Sequence, residues 1–122
     1  AQALLEQLLP LDPDRLAEVR VYLAFMARNL AEGGRPGLAD QAWHGERYIC
    51  GWAVSDVTGL APPNTLGHVP PPLRAAVDEL QVFVDGLSFL GATMTNRLTP
   101  TASRRLLRAH LTRLANPPHR GD

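Results

Sequence analysis

Residues 11–34 read LDPDRLAEVRVYLAFMARNLAEGG, and this stretch decides the fold. Asp12 followed by Pro13 is a helix start. The aspartate side chain can accept from the first free backbone N–H groups, and proline suits the first helical position because its missing N–H has no partner there anyway. From that start, Leu16, Val19, Leu23, Met26 and Leu30 recur in steps of three and four. On a helix these steps give one narrow apolar stripe. Gly33-Gly34 then stops the chain. The spacing predicts a helix from Pro13 to about Glu32, with a single face to bury.

The same punctuation divides the rest of the sequence. Before it, a short apolar segment from Ala3 to Leu9 ends at Pro10. After it, Leu38, Ala42, Trp43, Ile49, Cys50, Ala53, Val54 and Val57 share a face of a segment from Leu38 to Val57. Gly45 and Gly51 weaken that helix by roughly 1 kcal/mol each relative to alanine. Residues 59–72, GLAPPNTLGHVPPP, hold five prolines and two glycines. They exclude regular helix and central strand and form a long connection. A helix from about Pro72 to Asn96 follows, lined by Leu73, Val77, Leu80, Val84, Leu87 and Met94 and widened by Phe83 and Leu90. Thr99-Pro100 repeats the cap-then-proline start, and Leu106, Leu107, Leu111 and Leu114 face inward on a helix ending near Ala115. The expected fold is all-α: a four-helix bundle-like domain with a short extra N-terminal helix and a Pro-rich loop between the third and fourth segments. Residues 1–116 are expected to form a single helical domain, with 117–122 a frayed tail ending in Arg-Gly-Asp.

The composition is that of a folded globular chain: 122 residues, 45% hydrophobic and 20% charged. All twelve basic residues are arginine, and they balance twelve acidic ones. Zero net charge argues against a protein built for nucleic acid or anionic membrane, and it leaves self-association unopposed. Cys50 is the only cysteine, so no internal disulfide is possible. No secretion signal and no apolar stretch long enough to span a bilayer is visible; Asp78, Glu79 and Asp85 interrupt the best candidate. The expected location is the cytoplasm.

Two ionisable residues break the helical pattern. Glu46 falls near the middle of an apolar face, and His110 falls among Leu106, Leu107 and Leu114. Both are expected to be substantially buried, and the economical arrangement joins them to each other or to another polar group, because an unpaired buried charge is costly. As chemistry, they form a candidate acid–base pair. The histidines at 44, 68, 110 and 119 lie in separate segments with no paired-ligand spacing, so no metal and no cofactor is expected.

Arg105 and His110 give an Arg-x4-His spacing on the last helix. This resembles the motif of HEPN-type ribonucleases, small helical domains that carry it near a dimer interface. The resemblance implies that Arg105 holds the scissile phosphate and His110 serves in acid–base chemistry. Leu106 stands where those enzymes usually carry a polar residue. Arg104, Arg105 and Arg108 line the outer face without an aromatic residue to stack on bases, so nucleic acid is a minor reading.

Apolar residues also lie on the wrong side. Val82, Gly86 and Phe89 face away from the core stripe of their helix at steps of four and three, as do Val21 and Phe25 on theirs. Such a set marks either an interface or a helix packed on two sides. As an interface, it predicts a two-fold homodimer. Trp43 and Trp52 are candidate walls of a small-ligand pocket. The residues lean away from an enzyme and toward a non-enzymatic interaction protein acting on an unidentified protein partner: an adaptor, regulator, immunity-type protein or assembly subunit. A HEPN-like enzyme or a ligand-binding bundle is the alternative.

Overall fold

The computed structural model describes residues 1–34, 36–65 and 68–117. The tail beyond residue 117, with its Arg-Gly-Asp, lies outside the described residues. The chain is all-helical: α1 (Gln2–Glu6), α2 (Pro13–Ala31), α3 (Pro36–Thr58), α4 (Arg74–Thr93) and α5 (Pro100–Ala115), with a 3-10 turn at Pro71–Leu73 leading into α4. Both cap-then-proline starts form as the residues dictate. Asp12 accepts from the Arg15 N–H at 2.8 Å, and Thr99 accepts from the Ala102 N–H at 3.2 Å. Gly33 and Gly34 stop α2 at φ of +79° and +68°, a conformation that side-chain-bearing residues rarely adopt. The fourth segment is shorter than its apolar spacing suggests. The prolines confine its first residues to the 3-10 turn, and the helix closes at Thr93 rather than Asn96.

The core lies between α1, α3, α4 and α5. Leu5, Leu9, Cys50, Val54, Leu73, Val77, Leu80 and Leu107 are completely buried. α1 is tied to α5 by an Arg104–Glu6 ion pair at 2.8 Å. Two glycines inside helices are points of close approach. A Cβ on Gly51 would come within 2.9 Å of the Pro63 ring, so the glycine admits the Pro-rich connection against α3. The Ser55 hydroxyl, donating to the Leu60 carbonyl at 2.6 Å, ties down the same connection. A Cβ on Gly91 would meet Pro10 at 3.0 Å, and this fits the end of α1's segment against α4.

α2 departs from expectation. None of its nineteen residues is buried. Leu16, Val19, Leu23 and Met26 are half-buried, and Leu30 is 82% exposed. Its stripe points inward but stands off from the bundle. Leu90, Met94 and Leu106, expected inward, are instead 42%, 46% and 38% exposed, because α4 and α5 leave their shared outer side uncovered.

Candidate functional site

The standoff of α2 opens a cavity. Tyr22, Leu23 and Met26 of α2 form its roof. Ala39, Asp40, Trp43 and Glu46 of α3 form one wall, and Asp85, Ser88 and Phe89 of α4 the other. Its volume is about 720 Å³, within the range of sites that hold drug-sized molecules. A second hollow of about 310 Å³ continues toward α1, walled by Leu8, Val19, Ile49 and Val84. The two share Tyr22, Glu46, Asp85 and Ser88, so these four residues make the waist between them.

At the waist the Glu46 carboxyl faces that of Asp85 across the α3–α4 groove. Burial pushes the Glu46 carboxyl up to about 9, aided by its hydrogen bond to Asp85 and by the charge of Asp85. Two carboxyl groups in contact cannot both ionise cheaply, so near neutrality one proton stays between them on Glu46. One Glu46 oxygen, Oε1, is buried without a hydrogen-bond partner. Burial also raises the Tyr22 phenol, with lesser contributions from Glu46 and Asp85. Cys50 lies below, its thiol driven up to about 12 by burial and then by the same two carboxyls, with Arg47 opposing. At that value it is a packing residue rather than a nucleophile.

Trp43 is held from behind. The Arg47 guanidinium sits 4.8 Å from the ring centroid, in cation–π geometry. Arg47 is in turn fixed by Asp78 at 2.8 Å and by the Gln81 side-chain oxygen at 3.2 Å. Buried Gln81 also donates to the Trp43 carbonyl at 3.0 Å. The His44 ring meets Trp43 edge-on, with centroids 4.9 Å apart. Trp52 is outside the cavity lining. It is 43% exposed and packs against Tyr48.

Glu46 and His110 are therefore not partners. Both are half-buried rather than buried. Glu46 meets Asp85, while His110 stacks on Phe83 of α4 with centroids 4.6 Å apart and rings 12° from parallel. Burial lowers the His110 pKa, with Arg113 adding to the effect and Glu79 opposing it. Arg105 is exposed and lies about 140° around the helix from His110. Neither lines the cavity. Phe89 does, while Val21, Phe25 and Val82 are 70%, 50% and 74% exposed.

Asp85, Tyr22 and Ser88 escape a reading of the sequence as site residues. Asp85 stands out there only as an interruption of an apolar run. The available signal is its place on the shoulder of the α4 stripe, where a carboxylate beside buried Val84 needs a polar neighbour. Among the described residues, no group of three or more His, Cys, Asp and Glu side chains could hold a metal ion. Among those residues, too, no helix is long and apolar enough to cross a membrane.

Neither the curated proteins nor the solved structures contain a significant match to the chain. A protein-family model does match, over residues 1–116, and it describes the C-terminal domain of BetI-type transcriptional repressors, a TetR-type domain. The match overturns the functional expectation drawn from the residues. An immunity-type protein and a HEPN-like ribonuclease both give way to a domain of a regulator, which among the expected roles is the one that loosely fits. TetR-type C-terminal domains are helical bundles that commonly dimerise. With 116 residues matched, this chain belongs to the family of BetI-type transcriptional repressor C-terminal domains.

Proposed function

We propose that residues 1–116 act as one effector-sensing and dimerisation domain of a transcriptional regulator, with the effector seated between α2, α3 and α4. One observation carries the reading. A nineteen-residue helix with an apolar stripe buries none of its residues and roofs a cavity of about 720 Å³. A ligand that fills this space supplies the contacts α2 lacks, and each Å² of apolar surface it covers is worth about 25 cal/mol. It would draw α2 onto the bundle and stabilise the folded state by mass action.

A thermal-shift screen of small molecules, repeated on an Ala39→Phe variant, tests this. Effectors are expected to raise the melting temperature of the parent chain and quench Trp43 in a Trp52→Phe background. Both effects should disappear when the new phenylalanine occupies the cavity. Ligands that stabilise both chains equally would seat elsewhere and end the proposal.

Dimerisation is proposed through the outer side of α4 and α5. Val82 and Gly86 belong to this side, together with Phe83, Leu90, Leu106 and His110. The exposure of Val82, Leu90 and Leu106 supports it, as does the shape of the contact: two helices facing their own copies form a four-helix bundle with two-fold symmetry. Phe89 is shared with the cavity rim, so the discriminating substitutions are Val82→Asp and Leu106→Asp. Light scattering should give a dimer for the parent and folded monomers for both variants. A parent that stays monomeric at high micromolar concentration would remove the interface.

A further inference from the structure

On the outer side of α4 and α5, His110 is a polar side chain that its surroundings do not satisfy. It lies flat on the Phe83 ring, with centroids 4.6 Å apart and planes 12° from parallel. Its Nε2 is buried and has no hydrogen-bond partner. A neutral imidazole tolerates this, because it can keep its proton on Nδ1 and leave only a lone pair at Nε2. An imidazolium carries N–H groups on both nitrogens, and the one at Nε2 would be a charged donor with nothing to accept it. The Phe83 face attracts a cation but supplies no acceptor for that N–H.

Among the described residues, the charges acting on His110 are Arg113 of its own helix and Glu79 of α4; α1 and α3, which also pack against α5, add none. Arg113 repels the charged ring. Glu79 stands one turn before Phe83 on α4 and attracts it. The charged ring therefore gains by leaving its stack and turning outward, to water and Glu79. That movement needs the outer side to be open. The same side is the proposed contact between two copies, where Val82, Leu90 and Leu106 are exposed.

We infer that His110 is a proton gate on dimerisation: the neutral ring, flat on Phe83, is the form that lets two copies pair, and the charged ring, turned out of that stack, holds them apart. The inference rests on the reading of this side as the dimer interface, and it adds the regulation of that interface. Burial, and then Arg113, already hold the His110 pKa below its ordinary 6.5 in the single chain, with Glu79 opposing. Pairing closes the way out and lowers it further. Dimer affinity is thus complete above the single chain's value and falls as pH drops through it, below 6.5. A two-fold dimer frees His110 on both copies when it parts. Dissociation then takes up as many as about two protons, and the dissociation constant rises by up to about hundredfold per pH unit.

Sedimentation velocity on the full chain at pH 8, 7, 6 and 5, at one ionic strength, reads the dissociation constant. Circular dichroism checks that the separated chains stay helical. The constants at pH 8 and 7 are expected to agree, and the dimer at pH 5 to be weaker by about tenfold or more. His110→Phe keeps a flat ring on Phe83 with no proton to take up, so its dimer should hold equally well from pH 8 to 5. The parent chain supplies a second reading in case that variant fails to fold. Nuclear magnetic resonance titration of His110 should give a lower midpoint in concentrated, dimeric protein than in dilute, monomeric protein. A dimer indifferent to pH, a dimer that tightens in acid, a His110→Phe dimer that still parts in acid, or a midpoint independent of concentration would each overturn the gate and leave the interface standing. A parent that is monomeric at pH 8 would remove gate and interface together.

Discussion

The two sides of α4 are packed on different terms. Toward α3 and α5 it offers Val77 and Leu80, both completely buried. Toward α2 it offers Asp85, Ser88 and Phe89, which border open space. The first side is a filled core, where every methylene has neighbours and its loss leaves a hole. The second is a wall of a cavity, where side chains already lack neighbours and truncation removes less. One helix thus joins a rigid half to a half with room to move, the division a domain needs if a small molecule is to change its shape without unfolding it.

The largest expected effect tests this division directly. Leu80→Ala in the filled half should cost about 2–5 kcal/mol in denaturant unfolding, the range for large-to-small changes in a close-packed core. Leu23→Ala on α2 should cost about 1 kcal/mol or less, since its side chain has only partial cover to lose. Equal losses would mean that α2 is as well packed as α4 and that the cavity closes in solution.

A second expectation sharpens the comparison at the waist. Glu46 has a raised carboxyl pKa in the folded chain, from an ordinary 4.5 to about 9. The folded state therefore binds more protons than the unfolded state between those values. The contribution is fully present below about pH 4.5 and is lost as pH rises toward 9. Glu46→Gln removes that slope. The variant's melting temperature should hold steadier than the parent's from pH 6 to 8.5, and identical profiles would show that the carboxyl is solvated in the free protein.

Much of this architecture is legible in the residues. Asp12-Pro13, Gly33-Gly34 and Thr99-Pro100 mark helix ends because caps, left-handed glycines and N1 prolines act locally. The inward set of α4 from Leu73 to Leu87 follows from a single period. The cavity does not, because periodicity says which way a side chain points and nothing about how far the next helix stands. Leu16 and Leu80 look alike in the sequence; only one has neighbours on all sides. Glu46 is conspicuous on its own helix, yet its partner Asp85 depends on the register between α3 and α4, which no spacing within one helix encodes. The same gap assigned His110 to Glu46 instead of to the Phe83 ring.

The smallest effect comes from two glycines in the interior of the same helix, and it should differ in sign between them. Gly51 of α3 lies against the Pro63 ring, where an added Cβ would meet a ring carbon at 2.9 Å. Gly45, six residues earlier, has nothing within 4 Å of the place its Cβ would take. Alanine in either position gains helix propensity of about 0.8–1 kcal/mol. At Gly51 the gain is outweighed, because the ring belongs to a buried proline in a segment held by the Ser55–Leu60 hydrogen bond and cannot swing aside. Overpacking of this kind costs about 1–3 kcal/mol, so Gly51→Ala should be net destabilising by about 1 kcal/mol. Gly45→Ala should be net stabilising by somewhat less than 1 kcal/mol, since nothing lies within 4 Å of the added methyl group. Urea midpoints of the two variants, measured beside the parent, separate the cases. If Gly45→Ala lowers the midpoint as Gly51→Ala does, α3 is covered at Gly45 in solution and the open space beside it is filled.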